Sequence, residues 1–182
     1  MQPKLSLRPL RDAEFDAWRR QVTDGYAAEI EILGDTPRRA ARSKAKADMA
    51  RILPDGLETP GHWIFVIELG AELVGRLWLA ERTMDGRRVM FVYDVEIDER
   101  HRGRGFGRAA MLEAEGQARA RGIGRMELNV FGGNDVARGL YRSLGYVERA
   151  VLMGKDIYAP LAAVPAPSVP AQKTNEPLNP DI

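Results

Sequence analysis

A run of alternating glycines and arginines separates a valine-rich segment from an alanine-rich one, and its chemistry suits a phosphate. The run reads HRGRGFGR and contains Arg102, Gly103, Arg104, Gly105, Gly107 and Arg108. Glycines leave backbone N–H groups unhindered, and at a helix N-terminus those donors and the positive helix end converge on an anion. Arginines add charge-assisted hydrogen bonds of fixed geometry. The run therefore predicts a polyanionic phosphate ligand.

The spacing of the glycines distinguishes among the known types of phosphate-binding loop. A dinucleotide fingerprint requires Gly-x-Gly-x-x-Gly, and this run is one residue short of it. A nucleoside-triphosphate loop ends in Gly-Lys-Ser/Thr, and no Lys-Ser or Lys-Thr pair follows these glycines. The pattern Arg102-x-x-Gly105-x-Gly107 instead resembles the pyrophosphate signature of the GNAT superfamily of N-acetyltransferases. The preceding text, FVYDVEIDE, resembles the strand that leads into that loop in the same family.

A second motif downstream carries the same resemblance. The segment LNVFGGNDVARGLYRSLGYV is similar to the family pattern Asn-x-x-Ala-x-x-Leu-Tyr-x-x-Leu-Gly-Tyr/Phe, without a gap. Asn134 suits a helix N-cap, and Gly145 suits a left-handed helix end. One face of the intervening helix carries Ala137, Leu140, Tyr141 and Leu144. The resemblance covers residues 5–158 approximately.

The resemblance implies an enzyme that moves an acetyl group from acetyl-CoA to a primary amine of unknown identity. In the family the amine attacks the thioester directly, through a tetrahedral intermediate. The residues that the resemblance assigns to acetyl-CoA are Val95, Glu96, Ile97, Arg102, Gly103, Arg104, Gly105, Phe106, Gly107, Arg108, Asn134 and Tyr141. An alternative from another class is a non-catalytic acyl-CoA-binding sensor or interaction module, because a fold alone does not establish activity.

The resemblance assigns a general acid and leaves the base open. Tyr141 holds the position of the acid that protonates the leaving thiolate, although its place beside Leu140 also suits a core tyrosine. Glu96 is the first candidate base and Asp94 the second, directly or through water, and a reaction without any side-chain base is the remaining alternative. Some relatives carry a base where this chain has Tyr93. A β-bulge in this strand would change which face each carboxylate occupies.

The composition predicts one intracellular domain. The 182 residues are 45% hydrophobic, which is enough for one sizeable core, and the net charge of +1 gives no general attraction to nucleic acid. The absence of cysteine excludes disulfides, thiolate metal sites and acyl-cysteine intermediates. His62 and His101 are isolated from each other, so we expect surface or loop residues and no metal. No apolar stretch reaches membrane-spanning length, so we expect a cytoplasmic monomer or homodimer without membrane contact.

The order of apolar patterns predicts an α/β protein of the α+β type, a GNAT-like single domain over residues 1–158. We expect a mixed, mostly antiparallel sheet of six to seven strands with helices on both faces, and the resemblance adds a splayed parallel strand pair that holds acetyl-CoA. The predicted strands are 5–10, 62–69, 72–82, 88–98, 125–131 and 147–157. The predicted helices are 12–33, 37–53, 107–121 and one that follows Asn134. Residues 159–182 contain six of the eleven prolines and predict a Pro-rich disordered tail.

Overall fold

The computed structural model describes residues 5–34, 36–155 and 157, which form five strands and four α-helices. The strands are β1 (Leu5–Pro9), β2 (His62–Leu69), β3 (Glu72–Met84), β4 (Arg87–Ile97) and β5 (Met126–Leu128). The helices are α1 (Asp12–Gly34), α2 (Arg38–Ile52), α3 (Phe106–Ala120) and α4 (Asp135–Ser143). Single 3₁₀ turns lie at Gly56–Glu58 and Glu99–His101.

The strands form one sheet in the order β1-β2-β3-β4-β5. The first four strands are antiparallel neighbours, and β5 lies parallel to β4. The turn between β3 and β4 has positive φ angles at both Asp85 (50°) and Gly86 (71°), which matches the twist of a two-residue hairpin. The strands β2 and β3 also pair as a hairpin, through Gly70-Ala71.

Each face of the sheet carries its own hydrophobic core. On one face α3 packs its small residues Ala110, Ala114 and Ala118, which recur every fourth position, against β3 and β4. On the other face, α1 and α2 cover an aromatic layer. That layer contains Trp18, Trp78, Phe91 and Tyr93. The sheet is thus enclosed between α3 with α4 on one side and α1 with α2 on the other.

The predicted last strand, 147–157, is not formed over residues 147–155. Residues 147–155 contain no strand, so the described part of the chain forms five strands and not six or seven. The apolar side chains of this segment are exposed, among them Val147 (78%) and Leu152 (98%). Its alternating pattern had predicted a strand, but β5 pairs over only three residues and no neighbouring strand bonds to the segment. An apolar pattern forms a strand only where such a partner exists.

Other predictions concern the ends of the chain and the membrane. The predicted disordered tail, 159–182, lies outside the described residues. No helix within the described residues is both long and apolar enough to cross a bilayer.

Candidate active site

The site lies where the parallel strands β4 and β5 separate. Their pairing joins Met90 to Met126, Phe91 to Glu127 and Val92 to Leu128, and it stops there, although β4 continues to Ile97. A β-bulge falls at the same point, because Trp78 faces Asp94 while Leu79 faces Val92. Tyr93 is therefore the extra residue of β4, and it is the first residue beyond the paired segment.

The bulge determines which side chains of β4 share a face. Val92 and Val95 both belong to the core under α3, three residues apart, whereas Tyr93 belongs to the aromatic layer under α1 and α2. Strict alternation along β4 would place Tyr93 and Val95 on one face. The bulge that the sequence had left open is present, and its inserted residue reverses the alternation beyond it.

The glycine loop follows β4 through a 3₁₀ turn and leads into α3. Gly103 (φ 72°) and Gly105 (φ 82°) adopt left-handed backbone conformations that other residues rarely tolerate. No atom lies within 4 Å of the position that a Cβ would occupy at either glycine, so the loop is open there. Gly105 is the N-cap of α3, which starts at Phe106 and not at Gly107 as predicted.

The first turn of α3 presents unpaired backbone donors. The amide of Ala109 makes the first helical bond, to the carbonyl of Gly105 at 3.1 Å. The geometry of a helix therefore leaves the N–H groups of Phe106, Gly107 and Arg108 without intrahelical acceptors. These donors and the positive helix end point the same way, as an anion site requires.

The loop arginines occupy different surroundings. Arg102 donates from Nε to the carbonyl of Ile97 at 2.9 Å, which ties the loop to the end of β4. The guanidinium of Arg104 lies 4.9 Å from the centre of the Phe106 ring. Arg108 donates to Oγ of Ser143 at 2.9 Å and so joins the start of α3 to the end of α4.

Two residues assigned to the loop from sequence also have packing roles. The Phe106 side chain is 2% exposed and anchors α3 in the core, so only its backbone faces the loop. A Cβ at Gly107 would lie 3.3 Å from a methyl carbon of Leu140, so this glycine lets α3 approach α4 closely. Within the glycine run, Gly103 and Gly105 therefore belong to an open loop, whereas Gly107 allows the close contact between two helices.

The two candidate bases both contact one buried arginine. Nε of Arg76 lies 2.5 Å from Oδ2 of Asp94, and its Nη2 contacts the carboxylate of Glu96. Glu96 also lies 3.5 Å from the guanidinium of Arg102. Burial disfavours the charged form of Arg76, but the neighbouring carboxylates of Asp94 and Glu96 outweigh it and raise its pKa. This ion-pair cluster connects β3, β4 and the glycine loop, and no sequence motif had singled out Arg76.

Helix α4 places Tyr141 in the core beside α3. The side-chain oxygen of Asn134 accepts a hydrogen bond from the amide of Ala137 at 3.0 Å, which confirms the predicted N-cap. Gly145 has a φ of 90° and ends the helix in the predicted left-handed conformation. Tyr141 is 3% exposed, and its ring lies 5.7 Å from the ring of Tyr146.

Histidine positions differ from the sequence expectation. His101 is buried at 4% exposure beneath the glycine loop, with Nε2 at 3.2 Å from a carboxylate oxygen of Glu72. His101 thus lies in the connection between β4 and α3, as expected of a loop residue, but it is not at the surface, because the 3₁₀ turn directs its ring inward toward Phe106. Within the described residues no group of three or more His, Asp or Glu side chains is placed to bind a metal ion.

His62 belongs to an aromatic cluster beside the β4 bulge, which the sequence did not reveal. Nε1 of Trp78 donates to Nδ1 of His62 at 3.0 Å, and the Trp78 ring stacks on Tyr93 with centroids 4.5 Å apart. Burial and the positive charge of Arg82 lower the pKa of His62 to about 4. Only the pairing of β2, β3 and β4 brings these residues together, so spacing along the chain gave no signal.

Comparison with known proteins agrees with this architecture. Residues 26–146 match the Acetyltransferase (GNAT) family. YycN of Bacillus subtilis (strain 168), described as an uncharacterized N-acetyltransferase, is 32% identical over 154 residues, which cover 84% of this chain and 99% of YycN. YdgE from the same organism, described likewise, is 26% identical over 153 residues, which cover 84% of this chain and 98% of YdgE.

Solved structures show the same relationship. The crystal structure of B. subtilis YycN superposes with a TM-score of 0.80 at 31% identity, and covers 86% of this chain and 100% of that one. Aminoglycoside N-acetyltransferase AAC(6')-Iy, solved in complex with CoA, shares the fold at a TM-score of 0.54 and 12% identity, over 86% of this chain and 96% of that one. The chain belongs to the GNAT family of acetyltransferases, and it is an acyltransferase.

Proposed function

We propose that this protein transfers the acetyl group of acetyl-CoA to a primary amine. The observation that carries the proposal is the open first turn of α3, which the glycine loop connects to the strand that separates from β5. A phosphate-binding helix start beside a gap between parallel strands suits a long ligand with a pyrophosphate at one end. The CoA complex of AAC(6')-Iy, which has the same fold, supports this choice of donor.

The residues of the loop fit a pyrophosphate. Three backbone N–H groups at the start of α3 lack helical acceptors, and Gly103 and Gly105 leave open space before them. Arg102, Arg104 and Arg108 are exposed and add positive charge to the loop and to the first turn of α3. We expect the pantetheine arm to follow the part of β4 that β5 does not pair, and to meet the backbone of Val95, Glu96 and Ile97. We also expect Asn134 to contact this arm.

The proposed reaction requires a proton donor for the sulfur. The acceptor nitrogen forms a bond to the thioester carbonyl carbon, the carbon–sulfur bond breaks, and the departing thiolate needs a proton. Tyr141 is the proposed donor. Its hydroxyl oxygen is buried, so the phenol is held apart from bulk water, and the Asn134 cap fixes the helix that carries it.

The acceptor amine must also lose a proton, and Glu96 is the proposed base. Its side chain is 17% exposed, against 8% for Asp94, so Glu96 is the more accessible of the two carboxylates to water or to an amine. Both are paired with Arg76, so taking up a proton would remove one of the counterions of a buried guanidinium. This cost limits the role of Glu96 to transient proton transfer or to relay through water.

A Tyr141→Phe variant tests the enzyme, with Tyr146→Phe as its matched control. General acid catalysis contributes about 10²–10⁴-fold, so we expect Tyr141→Phe to lower kcat by at least about 10²-fold with an unchanged Kd for acetyl-CoA. Tyr146 is in ring contact with Tyr141, but its hydroxyl bonds Sδ of Met126 at 3.6 Å, and its loss should leave kcat unchanged. The measurement is CoA release with a broad amine panel, together with calorimetric titration of acetyl-CoA.

The same experiment distinguishes the alternative function. Tight binding of acetyl-CoA without amine-dependent CoA release would indicate the sensor or interaction module. Full activity of Tyr141→Phe would leave Tyr141 as a core residue. The cytoplasmic location and the monomeric or homodimeric state stay predictions from the sequence.

A further inference from the structure

Arg82 stands apart from the other arginines of the described chain. Its Nη1 atom is buried and has no hydrogen-bond partner, and no carboxylate of the described residues lies within ion-pair distance of it. Every other described arginine that is not exposed has a carboxylate or an amide partner. The Arg82 side chain as a whole is half-buried, but a buried guanidinium N–H without an acceptor is costly, so such a group suits a site where a ligand supplies the missing acceptor.

The surroundings of Arg82 are aromatic and carry positive charge. Its guanidinium lies 5.1 Å from the centre of the Phe91 ring, and the Phe91 ring lies 5.0 Å from the ring of Tyr93. Burial raises the pKa of Tyr93, and the charges of Arg82 and Arg51 oppose that rise. Asp94, the nearest carboxylate along β4, is already bound to Arg76. An anion placed here would find unpaired positive charge and no competing carboxylate.

The phosphates of CoA do not explain this arginine. Arg82 pairs across the sheet with Val89, near the start of β4, whereas the glycine loop follows the end of β4. The two sites also lie on opposite faces, because Phe91 belongs to the layer under α1 and α2, while Phe106 of the loop packs in the core under α3. The remaining ligand of the proposed reaction is the amine acceptor.

The position of Arg82 relative to the strand gap suits such an acceptor. Tyr93 lies at the point where β4 and β5 separate, and Phe91 bridges Tyr93 and the Arg82 guanidinium. We propose that Arg82 binds a carboxylate of the acceptor, so that the substrate is an amine-bearing carboxylic acid of the amino-acid type. This inference rests on the proposed acetyl transfer. A planar carboxylate matches the guanidinium fork, and one unpaired cation matches a single negative charge.

His62 provides a second donor beside Arg82. Its Nδ1 accepts from Trp78, so the neutral ring carries its proton on Nε2. The low pKa of His62 keeps the ring in this neutral form at physiological pH. The Nε2–H group can therefore donate to the same carboxylate.

The test uses acceptors in matched pairs that differ only in the carboxylate. Suitable pairs are 4-aminobutanoate with 4-aminobutanamide, and phenylalanine with phenylalaninamide, each assayed by CoA release. We expect the wild type to prefer the carboxylate member of a pair. Arg82→Gln should lower kcat/KM for that member about 10- to 100-fold, mainly through KM, and leave the amide unchanged. The matched control is Arg87→Gln, an exposed arginine at the end of the same hairpin, which should alter neither.

A second readout separates recognition from folding and from catalysis. Because Nη1 of Arg82 has no partner and the contact with the Phe91 ring contributes little, Arg82→Gln should change the melting temperature only slightly, whereas loss of a structural arginine would lower it markedly. Calorimetric titration with 4-acetamidobutanoate, a product analogue, should show binding to the wild type and loss of binding in Arg82→Gln.

Each result either supports or overturns the carboxylate site. Binding of 4-acetamidobutanoate that depends on Arg82, without acetylation of any amine, would support the site and contradict the proposed function. Active enzyme that treats acids and amides alike, in the wild type and in Arg82→Gln, would overturn the site and leave the function standing. A preference for O-phosphoethanolamine over 3-aminopropanoate would overturn the choice of a carboxylate.

Discussion

Arg76 lies between two carboxylates that stand next to the proposed reaction centre but differ in their surroundings. Asp94 makes the 2.5 Å contact to Nε and is almost fully enclosed, whereas Glu96 is more accessible and also faces Arg102 of the loop. Breaking a buried ion pair from one side leaves an uncompensated charge, which is strongly destabilising. The two carboxylates should therefore have separable roles, one in stability and one in proton transfer.

Paired neutral substitutions test this division. We expect Glu96→Gln to lower kcat/KM by about 10²-fold and to remove the limb of the pH–rate profile that reports the base. Asp94→Asn should lower the free energy of unfolding by about 3 kcal/mol, with a smaller effect on kcat/KM at temperatures where it stays folded. The measurements are pH–rate profiles and urea unfolding. An unchanged profile for Glu96→Gln would point to a reaction without a side-chain base.

At the scale of elements, Gly75 allows β3 and β4 to approach next to this cluster. A Cβ at Gly75 would overlap the carbonyl oxygen of Glu96, and a backbone atom cannot move aside as a flexible side chain can. The strands would have to separate at the end of β4 from which the glycine loop begins. We therefore expect Gly75 to be required by the sheet itself.

Replacement of two glycines by alanine gives a matched comparison. Gly75→Ala should reduce the free energy of unfolding by about 2 kcal/mol or more, because overpacking between strands costs about that much. Gly116 is exposed within α3, and no atom lies within 4 Å of the place that a Cβ would take there. The same change at Gly116 should therefore add about 0.5–1 kcal/mol to the free energy of unfolding. Urea denaturation of both variants provides the measurement, and equal stabilities would refute the packing argument.

Most of the helices and strands could be predicted from the sequence, because turns, helix caps and alternating apolar patterns depend on only a few consecutive residues. An Asp-Gly turn, an Asn helix cap and an alanine at every fourth position are such local signals, and the structure has them at Asp85-Gly86, at Asn134 and along α3. A bulge in β4 was considered from the sequence, but its place at Tyr93 was not predictable, since that depends on the register of β3 against β4. The absence of a strand after Gly145 was also not predictable, because an alternating apolar pattern does not show whether a neighbouring strand is available for pairing.

In the candidate site, too, the parts formed by consecutive residues were predictable and the parts formed by strand pairing were not. The glycine loop is one continuous run, so its spacing alone indicated a phosphate. Other residues of the site lie on β3 and β2, namely Arg76, Arg82 and His62. Their roles depend on which side chains the strand pairing places next to them. A sequence does not show that a buried side chain lacks a hydrogen-bond partner.

For the whole molecule, His62 links stability to pH. Its pKa is about 4 in the folded protein, against about 6.5 in the unfolded chain, because burial and Arg82 disfavour the charged ring. Between these values the unfolded chain binds a proton that the folded protein does not, so stability falls as the pH falls from about 6.5 to about 4. The full effect is at most roughly 3 kcal/mol, because solvent screens the charge of this partly exposed ring, and His62 adds little further slope below about pH 4.

Urea unfolding between pH 5 and pH 7 should isolate this effect, because carboxylates act at lower pH. Glu14, whose pKa is lowered to about 2 by its hydrogen bond to Arg8, contributes its own loss of stability only below about pH 4.5. We expect His62→Gln to flatten the slope in this window, while the amide oxygen can still accept from Trp78. The control His101→Gln retains His62 and should retain its slope. A wild-type protein whose free energy of unfolding stays constant from pH 7 to pH 5 would contradict the buried, neutral state of His62.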